Sequence, residues 1–245
     1  MIRLIIVLLF VVSFLLVSLI LIPIGYLIGL FDMPSRDRYA QVMISWAFGV
    51  VGFLAGARVT VKGKESVPKE EAVLYVANHR GFFDIVLLYA QMFRATAIVS
   101  KKEIKRVPIL SWWMILMRCR FMDRKDLKQS LQVILGCIED AKSGISILIY
   151  PEGTRSKGES ELDMNPFKEG SFKIAIKSGI KIVPVAIHGT REILERQFPR
   201  IKSNKVTISY GNPVDPGVLD KEQLKHIAQI CQDDIRRMLE AEQER

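Results

Sequence analysis

The chain has few of the groups that carry redox, metal or covalent chemistry. Its 245 residues include only three cysteines and three histidines. Cys119, Cys137 and Cys231 stand far apart in mostly apolar settings, with no CxxC pair and no zinc-ligand spacing. That excludes a disulfide framework and leaves reduced core thiols in a cytosol-facing domain. No G-x-S-x-G occurs, so the serine elbow of α/β hydrolases is missing. GTRSKGE (153–159) has the glycine spacing of a phosphate loop but carries Glu159 where that loop needs lysine, and the reading fails there. No metal or redox cofactor is expected. No internal repeat or low-complexity linker interrupts residues 58–245.

Charge is also missing from two long stretches. Residues 4–31 (LIIVLLFVVSFLLVSLILIPIGYLIGLF) carry none, and Tyr39 to Ala57 carry none. An apolar run of more than ~20 residues is long enough to cross a bilayer's hydrocarbon region. Arg3 would suit the basic flank of a signal peptide, but the apolar core is too long and no small-x-small cleavage site follows. We therefore expect a two-helix membrane hairpin over 1–57, spanning or dipping into one leaflet, with both ends on one side. Gly52 and Gly56 have the small-xxx-small spacing that lets two membrane helices approach closely. From Arg58 onward 32 basic residues face 24 acidic ones, a net +8. Such a surface attracts anions; beside a hydrophobic anchor the simplest partner is an anionic bilayer, not nucleic acid. The expected location is the cell membrane, anchored through the N-terminus, with 58–245 facing the cytoplasm.

In that remainder, RVTVKG (58–63), AVLYVA (72–77), TAIVS (96–100), ISILIY (145–150), KIVPVAI (181–187) and KVTISY (205–210) predict strands. Pro184 inside the fifth suggests an edge or a strand start. Leu127, Leu131, Ile134, Leu135 and Ile138 recur at helical spacing, FKIAIKSG (172–179) ends in a glycine stop, and Leu224, Ile227, Cys231, Ile235 and Met238 form one apolar stripe. Strand–helix alternation predicts one α/β domain with a covered, mixed sheet.

Two stretches concentrate polar groups where buried strands end. In NHRGFFD (78–84), His79 and Asp84 are five residues apart, and on one regular helix they would point away from each other. They can meet only if His79 lies in the turn before a helix that Asp84 enters; Gly81 would ease that turn. A carboxylate on one imidazole nitrogen leaves the other to take a proton. The alternative is a satisfied loop histidine and a capping aspartate. In YPEGTRS (150–156), Gly153 permits close approach of a ligand to the backbone, and Arg155 can grip phosphate oxygens in a bidentate fork. Here the alternative is a polar turn pairing Arg155 with Glu152. SKKEIKRVP (100–108) offers Lys101 and its neighbours as a second arm on an anion. FMDR (121–124) puts Asp123-Arg124 at a helix start, where Asp123 could cap.

NHRGFFD, FMDR, YPEGTRS and IVPVAI, in this order and at these intervals, resemble the four blocks of the glycerolipid acyltransferases, over roughly residues 58–215. The resemblance implies acyl transfer from a thioester, of coenzyme A or of acyl carrier protein, to the sn-2 hydroxyl of 1-acyl-glycerol-3-phosphate, giving phosphatidic acid. It implies that His79 is the general base and Asp84 its orienting carboxylate. Arg124, Glu152, Gly153, Thr154 and Arg155 would bind the acceptor, with Arg155 and Lys101 on its phosphate. Lysophosphatidic acid, the anionic bilayer and the acyl thioester are the implied partners. Gly81 stands where many members have serine, and Arg118 where glycine is frequent before the second block. Both bear on the acceptor, and another lysolipid is the alternative. A lipid esterase would need the missing serine elbow. A non-catalytic membrane module would keep its activity without His79.

Overall fold

A computed structural model describes residues 1–243. In chain order its helices and strands are α1 (Ile2–Phe31), α2 (Met33–Ala55), β1 (Ala57–Lys62), β2 (Val73–Ala77), α3 (Phe82–Tyr89), β3 (Thr96–Lys101), α4 (Leu110–Leu116), β4 (Arg120–Met122), α5 (Leu127–Lys142), β5 (Ser146–Ile149), α6 (Lys173–Ser178), β6 (Lys181–His188), β7 (Asn204–Tyr210), α7 (Lys221–Lys225) and α8 (Ile227–Gln243). They form two compact units. One gathers Met1–Arg58, Gly81–Met122 and Gly189–Lys205; the other gathers Val59–Arg80, Asp123–His188 and the chain from Val206 on. All six expected strands are present. Three-residue β4 is an addition, too short to show a period of its own.

The second unit holds the strands in the order β1-β7-β6-β2-β5. β2 runs parallel to β5 and to β6, while β6 and β7 are antiparallel, so the sheet is mixed as expected. Every residue of β2 and β5 is buried. Because side chains alternate between faces, a strand buried throughout is covered on both. Pro184 departs from expectation: it lies inside β6, opposite Val76 of β2, with β7 on the far side. The missing N–H is tolerated because the β6–β7 ladder breaks there. Regular pairing begins at Val185, Ile182 bridges separately to Val214, and the Pro184 carbonyl accepts the Gly211 N–H. Gly179, at φ 79°, ends α6 in the left-handed geometry that favours glycine. The C-terminal stripe is broken at His226, between α7 and α8. Ile227, Cys231, Ile235 and Leu239, four apart, form the buried line, whereas Leu224 and Met238 are half-buried.

In the first unit α1 and α2 have the length and composition to cross a membrane. Asp32 alone separates them; its carboxylate caps α2 by accepting the Ser35 N–H, so Arg36 and Arg38 belong to α2 and not to a loop. Trp113 of α4 stacks on Phe14 and donates its indole N–H to Ser18, which ties α4 to α1. Gln41 of α2, buried, accepts the Tyr89 hydroxyl at 2.6 Å and the Thr96 N–H at 3.2 Å, which ties α2 to the α3–β3 connection. The small-xxx-small expectation is corrected for Gly52. A Cβ on Gly52 would meet Leu87 of α3 at 2.6 Å, so Gly52 faces α3 and not α1; Gly56, the C-cap of α2, does lie beside α1, where a Cβ would come 3.1 Å from Arg3 Nε. α1 is also approached closely at Gly25, where Leu116 and the Tyr39 ring sit, and at Gly29, where the Arg36 side chain sits. Arg118 adopts φ 59°, a left-handed conformation that explains why glycine suits this position, and pairs with buried Asp37 at 2.8 Å.

Candidate active site

β2 ends where side chains replace the ladder. Asn78, fully buried, donates its amide N–H to the Ile187 carbonyl at 2.9 Å and accepts the Ile187 N–H at 2.8 Å. This pair continues the β2–β6 pairing one residue past the strand and holds the chain where His79 emerges. His79 is half-buried in the turn before α3. Its backbone N–H donates to Glu152 Oε1 at 2.6 Å, and its carbonyl accepts the Ser156 N–H at 2.8 Å. The Tyr150 ring lies 4.4 Å from the imidazole, tilted by 31°, and shields one side of it. The YPEGTRS turn thus holds the main chain of His79 from both directions and packs on its ring.

Glu152 is buried, and its second oxygen accepts the Asn165 N–H at 2.7 Å. Both carboxylate oxygens therefore hold main chain. The carboxylate is built into the turn beneath His79. Gly153 has φ 75°, so a side chain would strain it, and a Cβ would lie 2.9 Å from Lys168 Nζ. Lys168 is fixed to the same turn through its N–H, which donates to the Pro151 carbonyl. Thr154 and Arg155 are exposed at the tip. Lys157 and Lys168 are also exposed on this turn, as are Glu159 and Asp163. Nothing in the sequence pattern singled out Lys168.

Arg124 belongs to the same unit, half-buried in the turn before α5. The cap of α5 is Asp126, whose carboxylate accepts the Gln129 N–H; this corrects the assignment to Asp123. Asp123 instead accepts the Lys125 N–H and tightens the turn that presents Arg124.

Asp84 and Lys101 belong to the first unit. Asp84 is the third residue of α3 and completely buried. Its Oδ2 accepts the Gly81 N–H at 2.7 Å, and its Oδ1 accepts the Thr190 hydroxyl. His79 does lie in the turn and Asp84 in the first helical turn, as the five-residue spacing requires. The role expected of Gly81 is different. Its φ of −149° is extended backbone open to any residue. A Cβ there would come within 2.8 Å of Glu195 Oε2, so this carboxylate would have to shift to admit a side chain. Oε1 of the same carboxylate accepts the Phe82 N–H at 2.6 Å and serves as the N-terminal cap of α3. Glu195 thus occupies the space beside Gly81, where the resemblance leads one to expect serine. Lys101 is exposed at the end of β3. Thr190 and Glu195 carried no local signal, because each acts on a group more than 100 residues away.

The described residues include no cluster of three or more His, Cys, Asp or Glu arranged to hold a metal ion. Burial, with Asp234 and Glu169 nearby, pushes the Cys231 thiol up to about 12, which keeps it protonated and inert.

Known proteins share the sequence pattern and the fold of this chain. A family model described as Acyltransferase matches residues 58–188. A chloroplastic 1-acyl-sn-glycerol-3-phosphate acyltransferase of Brassica napus is 31% identical over 166 residues, 67% of this chain and 46% of the relative. The 1-acyl-sn-glycerol-3-phosphate acyltransferase of Saccharomyces cerevisiae is 29% identical over 203 residues, 82% of this chain and 66% of its own. That of Borreliella burgdorferi is 27% identical, with 83% and 80% covered. The chain thus spans less than half of the first relative's length and about two thirds of the second's. Among solved structures, the 1-acyl-sn-glycerophosphate acyltransferase PlsC of Thermotoga maritima shares the fold, with a TM-score of 0.78 over 99% of this chain and 98% of that one at 24% identity.

Proposed function

We start from the fact that this chain belongs to the acyltransferase family, and we propose that it transfers an acyl group from a thioester to the sn-2 hydroxyl of 1-acyl-glycerol-3-phosphate. The observation that carries the reading is the seating of His79. Its main chain is held on both sides by the Glu152–Ser156 turn, its ring is backed by Tyr150, and the same turn presents exposed Arg155.

In this reading His79 takes the proton of the sn-2 hydroxyl as that oxygen attacks the thioester carbonyl carbon. The tetrahedral intermediate collapses with cleavage of the C–S bond, and the imidazolium returns the proton to the departing thiolate. A thioester is already activated, so no acyl-enzyme is needed. Asp84, whose oxygens are held by Gly81 and Thr190, fixes the tautomer of His79 and stabilises its protonated form. Arg155 binds the acceptor phosphate, with Lys101 and Arg124 as further cations, while Gly153 and Thr154 give the headgroup access to the backbone of the turn. The role of Glu152 is to hold His79. The donor is an acyl thioester of coenzyme A or of acyl carrier protein, used as co-substrate. The hairpin over 1–57 anchors the catalytic region, 58–245, to the cytoplasmic side of the cell membrane. There the lysolipid keeps its chain in the bilayer while its headgroup enters the site.

The test is thioester-dependent acyl transfer to 1-acyl-glycerol-3-phosphate by membranes carrying wild type, His79→Ala or Arg155→Ala. General base catalysis is worth about 10²- to 10⁴-fold, so His79→Ala is expected to lose at least the lower figure. Arg155→Ala is expected to raise the acceptor KM by about 10- to 100-fold, as loss of a charged hydrogen-bonding partner does. Retained activity in His79→Ala rules out the base. A wild type that acylates only other lysolipids rules out the acceptor.

A further inference from the structure

Arg80, next to His79, was assigned no chemistry by the sequence pattern, yet it is the most heavily engaged cation beside the site. It is 2% exposed. Its guanidinium donates from Nη1 to the Ser160 carbonyl at 2.5 Å and to the Ser156 hydroxyl at 3.3 Å, and from Nη2 to the Gly158 carbonyl at 2.6 Å. Nε lies 3.2 Å from Glu161 Oε2. All four partners belong to the irregular segment 156–161, which has no strand or helix to order it. A planar fork of five donors can replace a missing ladder in this way; a lysine ammonium, with its donors on one atom, cannot.

Arg155 immediately precedes this segment. On its N-terminal side the chain is held by Glu152 and by the Gly153 N–H, which donates to the Tyr150 carbonyl. On its C-terminal side the chain is held by the Ser156 N–H on the His79 carbonyl and by the Arg80 fork. The exposed Arg155 side chain is thus carried on a span whose C-terminal anchor is Arg80. We propose that Arg80 is a positioning residue for acceptor recognition: it orders residues 156–161 and so sets the reach of Arg155 toward the acceptor phosphate, linking that site to the turn that carries His79. The inference rests on the acceptor reading above for its kinetic consequence, and on the contacts alone for the ordering of the loop.

Two measurements on the full chain in detergent test it. In the first, hydrogen–deuterium exchange is followed by mass spectrometry in wild type and Arg80→Lys. Peptides covering 154–162 should exchange about 10-fold faster in the variant, the opening expected when about one charged hydrogen bond's worth of free energy is lost. Peptides over β2 and β5 should be unchanged. In the second, the acceptor KM should rise about 10-fold in Arg80→Lys, with kcat within about twofold. In Arg80→Lys/Arg155→Ala the acceptor KM should be no higher than in Arg155→Ala alone, because the two changes act on one contact. Glu161→Gln, which weakens the Nε pairing, should shift both readouts the same way by about twofold to threefold, and it serves if Arg80→Lys does not fold. Unchanged loop exchange overturns the proposal, as does an additive double variant. So does a loss of kcat and thermal stability at constant acceptor KM, the signature of a merely structural arginine. If the wild type does not use 1-acyl-glycerol-3-phosphate, the acceptor reading fails separately, and loop exchange still decides whether Arg80 orders 156–161.

Discussion

Glu152→Gln separates a carboxylate that binds substrate from one that holds His79, the proposed base. In the folded chain the two oxygens accept the N–H groups of His79 and Asn165, at 2.6 and 2.7 Å, and the residue is 3% exposed. Each charge-assisted bond is worth roughly 1.5–3 kcal/mol. Glutamine keeps one acceptor but turns an NH₂ group toward the other N–H, so one bond is lost and two donors face each other in a buried site. The net cost is about 2–3 kcal/mol, which corresponds to a fall in Tm of about 4–12 °C for a chain of this size. Since the bond to His79 sets where its backbone sits, kcat should fall by about 10- to 100-fold, the usual penalty for displacing a catalytic group by about 1 Å. The acceptor KM should change less than about threefold. Thermal denaturation of the purified chain and steady-state kinetics with acceptor varied at saturating thioester supply both numbers. A 10-fold rise in acceptor KM at constant kcat and Tm would refute this account and return Glu152 to the substrate.

Three other outcomes are expected. Thr190→Val removes the hydroxyl that donates to Asp84; a buried carboxylate losing such a partner should cost about 1.5–3 kcal/mol, seen as a lower kcat with unchanged acceptor KM, and Thr190→Ser should restore it. Arg118→Gly relieves a left-handed arginine, worth ~1 kcal/mol, but surrenders its bond to Asp37, so stability should stay within about 1 kcal/mol of wild type. Asp37→Ala should cost more, because it removes the partner of both Arg36 and Arg118, and denaturant titration of the two variants ranks them. Cys231, whose thiol is pushed up from 9.0 to about 12, should resist alkylation until the chain unfolds. Its stabilising contribution is complete below pH 9, where the thiol is neutral folded or unfolded, and is lost as pH rises toward 12. Cys231→Ala should therefore flatten the alkaline decline in stability, and an equally steep decline would show that the thiol is not responsible.

The sequence alone determined whatever has a local periodicity or a local pattern. Six strands, the helices α5 and α6, the two apolar helices and the glycine end of α6 are visible because a buried strand or helix writes its burial into neighbouring residues. The spacing of His79 and Asp84 determined that one precedes a helix and the other enters it. The short polar blocks marked the turns to which the proposed chemistry is assigned. Tertiary structure decided what those polar groups hold, because their partners are far away in the chain. Glu152 could not be recognised as the support for His79, 73 residues distant, nor Thr190 as a partner of Asp84, 106 residues distant. Gly81 reads as a flexible turn until Glu195 is seen filling its space, and Pro184 reads as an edge until the ladder is seen to break beside it. Arg80 looks like a solvated charge until four groups of one loop converge on it. A buried polar group must find a partner wherever the fold brings one, and periodicity along the chain carries no information about which distant residue that will be.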